Sequence, residues 1–491
     1  MTTSSKAGTV LALLLCGAGC TEFLSGPGLT ENPNNPLEVT ALQQLIAMQS
    51  NMATRLEGQI ARCAGIYTQQ LIGSNNQQLA YCTQYAVTES DISGQMSGFY
   101  TGGGLLALRN IQAAAQTSGD QFLYGIAKVW EGLAMGTATS VWGDLPYSEA
   151  VNPDIAEPVL DSQESIYAAV QARLDEGIAA LQTAATGATG NCVPAEGDLI
   201  YCATAVARAT QIQRWIRAAY TLKARFHLHL VERNGNAEYV LALAAAQNGI
   251  SEAAANASQA MNGQAPGDFR TFHGSIQDFD ANIWAEFLST RQDIVAGDVL
   301  VQILKTRNDP RLAAYFDPST NSQFVGADQN NSTIRPPGCP AAPATCAPSV
   351  INTAVRRVFT FRQPIVTWAE NQLILAEAKY MTGDSAGAVG HVDAVRTAVG
   401  MPALGNVSFA DVMTEKYIAM FQNIDVWSDY KRTCIPAVTP FGKPPAPEVL
   451  GRMPYGSAER TSNPHIPLPS AYPAGTTGSS PVRNWNDRDH C

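Results

Sequence analysis

The chain predicts a mostly α-helical fold, with helix hairpins forming a scaffold and an irregular, loop-rich region packed on it. Three observations carry this. Apolar residues recur every three or four positions through several long stretches. Glycines and short polar residues stand where such stretches end and begin. Long segments rich in Pro, Asn and Gly separate the helical blocks. The clearest hairpin lies within 364–399, where Ala369, Leu373, Ala376 and Tyr380 share one helical face. Gly383 ends that helix, Asp384 or Ser385 caps the next, and Ala388, Val392 and Val395 form the answering face.

Small alanines on facing sides let two antiparallel helices approach closely, and the pair resembles a tetratricopeptide unit. Such a unit cannot bury its stripe alone, so other helix pairs must stack on it. Gly383-Asp-Ser-Ala-Gly also matches the G-x-S-x-G pattern of a hydrolase nucleophile elbow. That chemistry needs a strand before the serine, and an amphipathic helix stands there instead, so a helix-turn-helix corner accounts for the residues.

Along the chain, 37–70 reads as one long helix striped by Leu42, Leu45, Met48, Met52 and Leu56. Residues 72–88 form a loop rich in amides and tyrosines. Helices follow over about 90–116 and 120–140, the second capped by Asp120, with hairpins continuing within 88–262. Segments 185–203, 317–360 and 436–491 read as long loops, which in a compact chain are usually functional.

Apolar content of 45% allows a sizeable core. A net charge of −11 gives no help toward phosphate, and no basic block appears, so nucleic acid is not an expected partner. Lys6 and the short apolar run Val10–Leu15 mark residues 1–19 as a signal peptide. Gly17-Ala-Gly19 before Cys20 resembles a lipoprotein cleavage box, with glycine where leucine is usual, so Cys20 is the expected lipidation site and 20–36 a polar lead. Ordinary cleavage without lipid is the alternative. No later stretch is long and apolar enough to span a bilayer.

Eight further cysteines in an exported chain read as disulfides. Sequence neighbours are the economical pairing: Cys63–Cys82, Cys192–Cys202, Cys339–Cys346 and Cys434–Cys491. None has C-x-x-C spacing, which argues against zinc. His227 and His229 stand two apart on a helix and point in different directions, so they do not share an ion. Asp278-Phe-Asp280-Ala-Asn282 begins like a calcium loop but has Ile283 for the glycine and Ser289 for the glutamate. A structural calcium held by scattered oxygens stays open, and no other cofactor is expected. Gly102-Gly-Gly104 lacks the Lys of a phosphate loop. Glu370 and Glu377 are weighed as a glycosidase carboxylate pair against an ordinary helix–helix contact.

At Val141 the chain reads Val-Trp142-Gly-Asp-Leu-Pro-Tyr-Ser-Glu-Ala150. With Glu22-Phe-Leu24, Asn32-Pro-Asn34, Arg214-Trp215, Asn308-Asp-Pro-Arg-Leu312, Trp427-Ser-Asp-Tyr-Lys-Arg-Thr433 and Arg452-Met-Pro-Tyr455, it resembles the SusD/RagB family. The order of these matches over most of the chain carries the resemblance. It implies one α-helical domain over 37–491, with a loop-rich ligand region at 263–360 and a C-terminal loop region at 434–491. It further implies a lipid-anchored outer-membrane protein that binds a glycan or other small nutrient, without chemistry. The ligand would pass to a TonB-dependent SusC-like transporter. In that family the ligand surface is assembled from two loop regions. Here they offer Asn75, Gln78, Tyr81 and Tyr85 in the first, and Trp284, Phe287 and Arg291 in the second. Aromatic faces stack on sugars while amides and guanidinium groups meet hydroxyls. A secreted hydrolase and a non-transport adhesive helical-repeat protein are the rival readings.

Overall fold

In a computed structural model the described residues are 39–277, 280–319, 322–330, 347–442, 448–467 and 483–487. The expected signal peptide over 1–19, Cys20, the expected lead over 20–36, Cys339, Cys346 and Cys491 lie outside them.

The described residues are mostly helical. In chain order they form α1 (Ala41–Glu57), α2 (Gln59–Tyr67), β1 (Leu71–Gly73), a π-helical turn (Gln78–Thr83), α3 (Glu89–Ser97), α4 (Leu105–Ser118), α5 (Gln121–Trp142) and α6 (Gln163–Ala185). Then come α7 (Arg208–Leu228), α8 (Val231–Asn234), α9 (Asn236–Ala246), α10 (Ala257–Met261), β2 (Phe269–Arg270), α11 (Ile283–Thr290), β3 (Ile294–Ala296), α12 (Asp298–Thr306) and α13 (Arg311–Tyr315). The chain ends with β4 (Phe316–Asp317), β5 (Val350–Ile351), β6 (Pro364–Val366), α14 (Trp368–Met381), α15 (Ser385–Ala398), α16 (Phe409–Ala419), α17 (Val426–Thr433) and α18 (Ser457–Ser462).

Each helix of the scaffold packs on the next in the series α1, α4, α5, α6, α7, α9, α14 and α15, the stacked-pair arrangement of tetratricopeptide-like folds. Small residues set the spacing. A Cβ on Gly125 of α5 would lie 3.1 Å from the Gly177 carbonyl of α6, so neither glycine tolerates a side chain without the helices parting. The expected hairpin is present. Thr367 and Glu370 form a capping box at the start of α14. Gly383 turns with φ +94°, and Asp384 accepts from Gly387 N at 2.8 Å to cap α15.

Two expected helices are each broken at glycine. The stretch 37–70 divides into α1 and α2 at Gly58, whose ψ of −145° leaves the helix in a conformation where a Cβ would stand 2.2 Å from the Thr54 carbonyl oxygen. The stretch 90–116 divides into α3 and α4 around Gly102 and Gly103, both at positive φ. Asp120 caps α5 as expected, accepting from Leu123 N at 2.9 Å.

Charge is buried inside the array and matched there. Arg225 donates to both oxygens of Glu370, at 2.6 and 2.7 Å, and lies 3.6 Å from Asp425. His229 reaches Asp425 at 3.0 Å. Glu377 is held by Arg432 and by Lys416, which also donates to Asp429 at 3.0 Å. Arg307, Arg311 and Arg396 converge on Glu415. These pairs join α7, α13, α14, α15, α16 and α17, and breaking one would strand a charge in low dielectric.

The Trp142 turn does what its sequence suggests. Gly143 takes φ +79°, and Tyr147 folds back to donate to Glu131 at 2.7 Å. The Trp142 indole donates to the Pro454 carbonyl at 2.9 Å, while Met453 N donates to Val141 O at 2.9 Å. The C-terminal segment is thereby seated on the end of α5.

Candidate ligand-binding face

The two loop regions named from the sequence meet in space. β1 pairs antiparallel with β3, setting Leu71 opposite Ala296 and Gly73 opposite Ile294. Ser74 N donates to Asp293 O at 2.7 Å, and the Asn76 amide donates to the Asp293 carboxylate at 3.0 Å. The disulfide Cys63–Cys82 ties α2 to the π-helical turn, and Cys192–Cys202 closes its own loop. Cys434 is also disulfide-bonded.

At the centre lies Phe287, half-buried on α11. The Arg62 guanidinium of α2 sits 4.1 Å from the ring centroid, and the exposed Arg291 sits 5.4 Å from it. Arg291 donates to the Gln77 side chain at 3.4 Å, and Asn75 is exposed beside it in the chain. Tyr81 is half-buried, and hydrogen bonding to the neighbouring Asp91 raises its hydroxyl pKa. Burial first, and Arg291 second, push Arg62 down to about 9. A half-exposed ring with guanidinium and amide donors around it can take a sugar face and its hydroxyls at once.

Three of the seven expected contact residues turn inward instead. Trp284 is fully buried, because α11 presents that face to the core and Phe287 to the rim. Gln78 is fully buried in an amide pair with Gln59, its Nε2 donating at 2.7 Å. The same Gln59 oxygen accepts from Arg62 at 3.2 Å, so Gln78 positions the guanidinium at one remove. Tyr85 is buried against Tyr67, with ring centroids 5.6 Å apart. Asn75, Tyr81, Phe287 and Arg291 keep their places at the surface.

Sequence reading missed Arg62, although a signal existed. It is a lone charge within Gln59–Tyr67, with no acidic residue three or four positions away on either side. It also missed the adjoining cleft of about 510 Å³, lined by Ile46, Ala53, Leu199, Phe272, His273 and Ile283 among others. Ile283 and Phe287 are one turn apart on α11, so the cleft wall continues toward the guanidinium pair. Under the cleft His273 faces the buried Glu57 carboxylate at 3.0 Å through Nε2 and the Asp280 carbonyl at 3.3 Å through Nδ1. Thr271 donates to the same carboxylate. With acceptors on both ring nitrogens the imidazolium is favoured, and despite burial the Glu57 charge raises the His273 pKa.

The catalytic alternatives find no matching geometry. Glu370 and Glu377 are both fully buried and occupied by arginine and lysine. Ser385 is exposed, so burial does not dispose of it, but helix α14 precedes it where an elbow needs a strand. His227 is engaged by Glu238 at 2.7 Å, well apart from the His229 partners. No three His, Cys, Asp or Glu side chains are grouped to hold a metal ion among the described residues.

The described residues form a stacked-helix scaffold with a loop-built rim, the helix-based class of fold. The family model described as SusD-like, "starch-binding associating with outer membrane", matches residues 33–399, and this chain belongs to that family. Among curated proteins none matches. Among solved structures the chain is similar to a chitin-binding protein, with TM-score 0.69 and 20% identity over 92% of this chain and 100% of that one. A chitin-binding SusD homolog from Flavobacterium johnsoniae gives 0.67 and 18%, covering 91% and 97%. A SusD/RagB family protein from Bacteroides thetaiotaomicron gives 0.63 and 20%, covering 87% and 95%. At these identities the likeness speaks for the fold.

Proposed function

We propose that this chain is a lipid-anchored protein of the outer-membrane surface. It captures a glycan at the Phe287 face and delivers it, chemically unchanged, to a TonB-dependent SusC-like transporter. The observation that carries the reading is the joining of two sequence-distant loops by β1 and β3 around one half-exposed ring. Membership of a family described as starch-binding and outer-membrane-associated supports both the ligand class and the location. The chitin-binding relatives add weight to a saccharide ligand. No described helix is long and apolar enough to cross a membrane, which is compatible with attachment through Cys20.

Mechanistically the helical array is the rigid body and the loop face the grip. Matched buried charges hold α7, α13, α14, α15, α16 and α17 together, so ligand engagement falls on side chains that the fold leaves uncommitted. Affinity for a sugar would come from ring stacking plus donors on Arg62, Arg291, Asn75 and Gln77.

The test has three arms on the full-length chain. Metabolic palmitate labelling of wild type and Cys20→Ala reads the anchor. Affinity purification from membranes reads the transporter. A glycan array with wild type and Phe287→Ala reads the ligand. Label retained by Cys20→Ala, no co-purifying barrel, or array binding indifferent to Phe287→Ala would each remove the corresponding part of the proposal.

A further inference from the structure

We propose that the ligand of the Phe287 face is anionic, a glycan carrying carboxylate or sulfate groups. This rests on the glycan-binding reading above and narrows it.

The chain as a whole carries −11, yet on this face two arginines share one aromatic ring. Arg62 and Arg291 flank a single ring, at 4.1 and 5.4 Å. Neither meets a carboxylate within ion-pair distance among the described residues. Arg62 is 8% exposed. Of its donors, Nη2 reaches Gln59 at 3.2 Å, and the buried Nε has no partner. A guanidinium taken out of water without a counter-charge is strongly disfavoured, as is one partner of a buried pair left stranded. Cation–π contact with phenylalanine returns only a fraction of that cost. A second cation on the same ring makes the balance worse.

Another buried arginine shows what a structural solution looks like. Arg356 also lacks a carboxylate, but Nε donates to Asn262, Nη1 to Gln422 and Nη2 to the Met261 carbonyl, each at 3.0–3.1 Å. Tyr315, Phe361 and Phe421 surround it. Its donors are filled from within the protein, whereas Arg62 has Gln59 on Nη2 and nothing on Nε. Glu57, the carboxylate nearest Arg62 in sequence, faces His273 at 3.0 Å, and other carboxylates of the two loop regions are also engaged. Asp293 accepts from Asn76, Asp91 accepts from Thr88 at the start of α3, and Glu286 faces Gln277 at 3.5 Å. Burial and the neighbouring guanidinium both press on Arg62, and an oxyanion brought against it would supply the counter-charge that offsets them. The planar fork of a guanidinium matches carboxylate and sulfate oxygens two at a time. Asn75 and Gln77 alongside remain for uncharged hydroxyls.

The experiment is a glycan array of matched pairs read with the full-length chain, followed by calorimetry. The pairs are oligogalacturonate against its methyl ester, and chondroitin sulfate against its desulfated form. Among the saccharides retained, the charged member is expected to bind about tenfold or more tightly than its neutral counterpart, as close charge pairs do. The preference should shrink as salt rises. Arg291→Gln, at an exposed position, should abolish most of it, and Arg62→Gln should do so more fully. Should Arg62→Gln misfold, Arg291→Gln decides alone. The two pairs separate carboxylate from sulfate recognition. Neutral members binding as tightly as charged ones would overturn the inference and leave the glycan-binding reading standing. Retention of no saccharide of either kind would overturn both.

Discussion

Within the helical array Arg225, Arg311 and Arg432 each meet a carboxylate at close range, while Arg62 and Arg291 beside Phe287 meet none among the described residues. The first set lies where helices of the array converge. The second lies where two loops are joined at the surface. Both sets include deeply buried guanidinium groups, so burial does not separate them. What separates them is whether the fold itself supplies the counter-charge. Where it does, the arginine holds helices together; where it does not, the donors await something from outside.

The largest effect is expected from breaking a matched pair. Glu370→Gln leaves Arg225 charged and buried with Asp425 at 3.6 Å as its remaining anion. It should lower unfolding stability by about 3–5 kcal/mol in denaturant titration. A double replacement by apolar residues of similar volume should recover much of that loss. If Glu370→Gln costs no more than a surface substitution, the pair is not what secures α7 to α14.

Next comes a contrast between neighbours on α11. Trp284→Ala should destabilise by about 3–5 kcal/mol through the cavity it opens in the core. Phe287→Ala should be far milder in stability and should weaken glycan binding instead. Melting curves and binding isotherms on both variants sharpen the division of the helix into a structural and a contact face. Equal binding losses in the two would erase it.

A pH series tests the cleft floor. The His273 pKa is raised above its ordinary 6.5, with Glu57 as the partner favouring charge. A raised folded-state value means the stabilisation is whole below the unfolded value and is lost as pH rises through the folded one. Stability should therefore decline as pH rises from 6.5 through the raised folded-state value, and His273→Gln should flatten that decline while lowering stability at acid pH. Parallel slopes in wild type and variant would contradict this. The smallest effect expected is loss of ring stacking alone: Phe287→Leu should weaken saccharide binding by about 0.5–1.5 kcal/mol in calorimetry.

Much of the scaffold could be read from the residues. The Gly383 corner, the Asp120 and Asp384 caps, the Trp142 turn and the two loop-closing disulfides all rest on local rules that need no tertiary context. The breaks at Gly58 and at Gly102–Gly104 were hidden, because a single glycine in a striped helix is tolerated as often as it interrupts. The face was legible as a region but not residue by residue. Trp284 and Phe287 are three apart on one short helix, and only the packing of α11 says which of them faces out. Arg62 is harder still. Its partner ring lies 225 positions away in the chain, and nothing local announces that the two meet.

The covalent tie between α2 and the π-helical turn has a further consequence. The Cys63–Cys82 bond closes a loop of 19 residues immediately behind Gln59, the amide that orients Arg62. Such bonds form in oxidising compartments and not in a reducing cytosol. A batch expressed in the cytosol would then carry an intact helical body but an untethered grip. Its apparent lack of affinity would report the redox history of the preparation and not the selectivity of the protein.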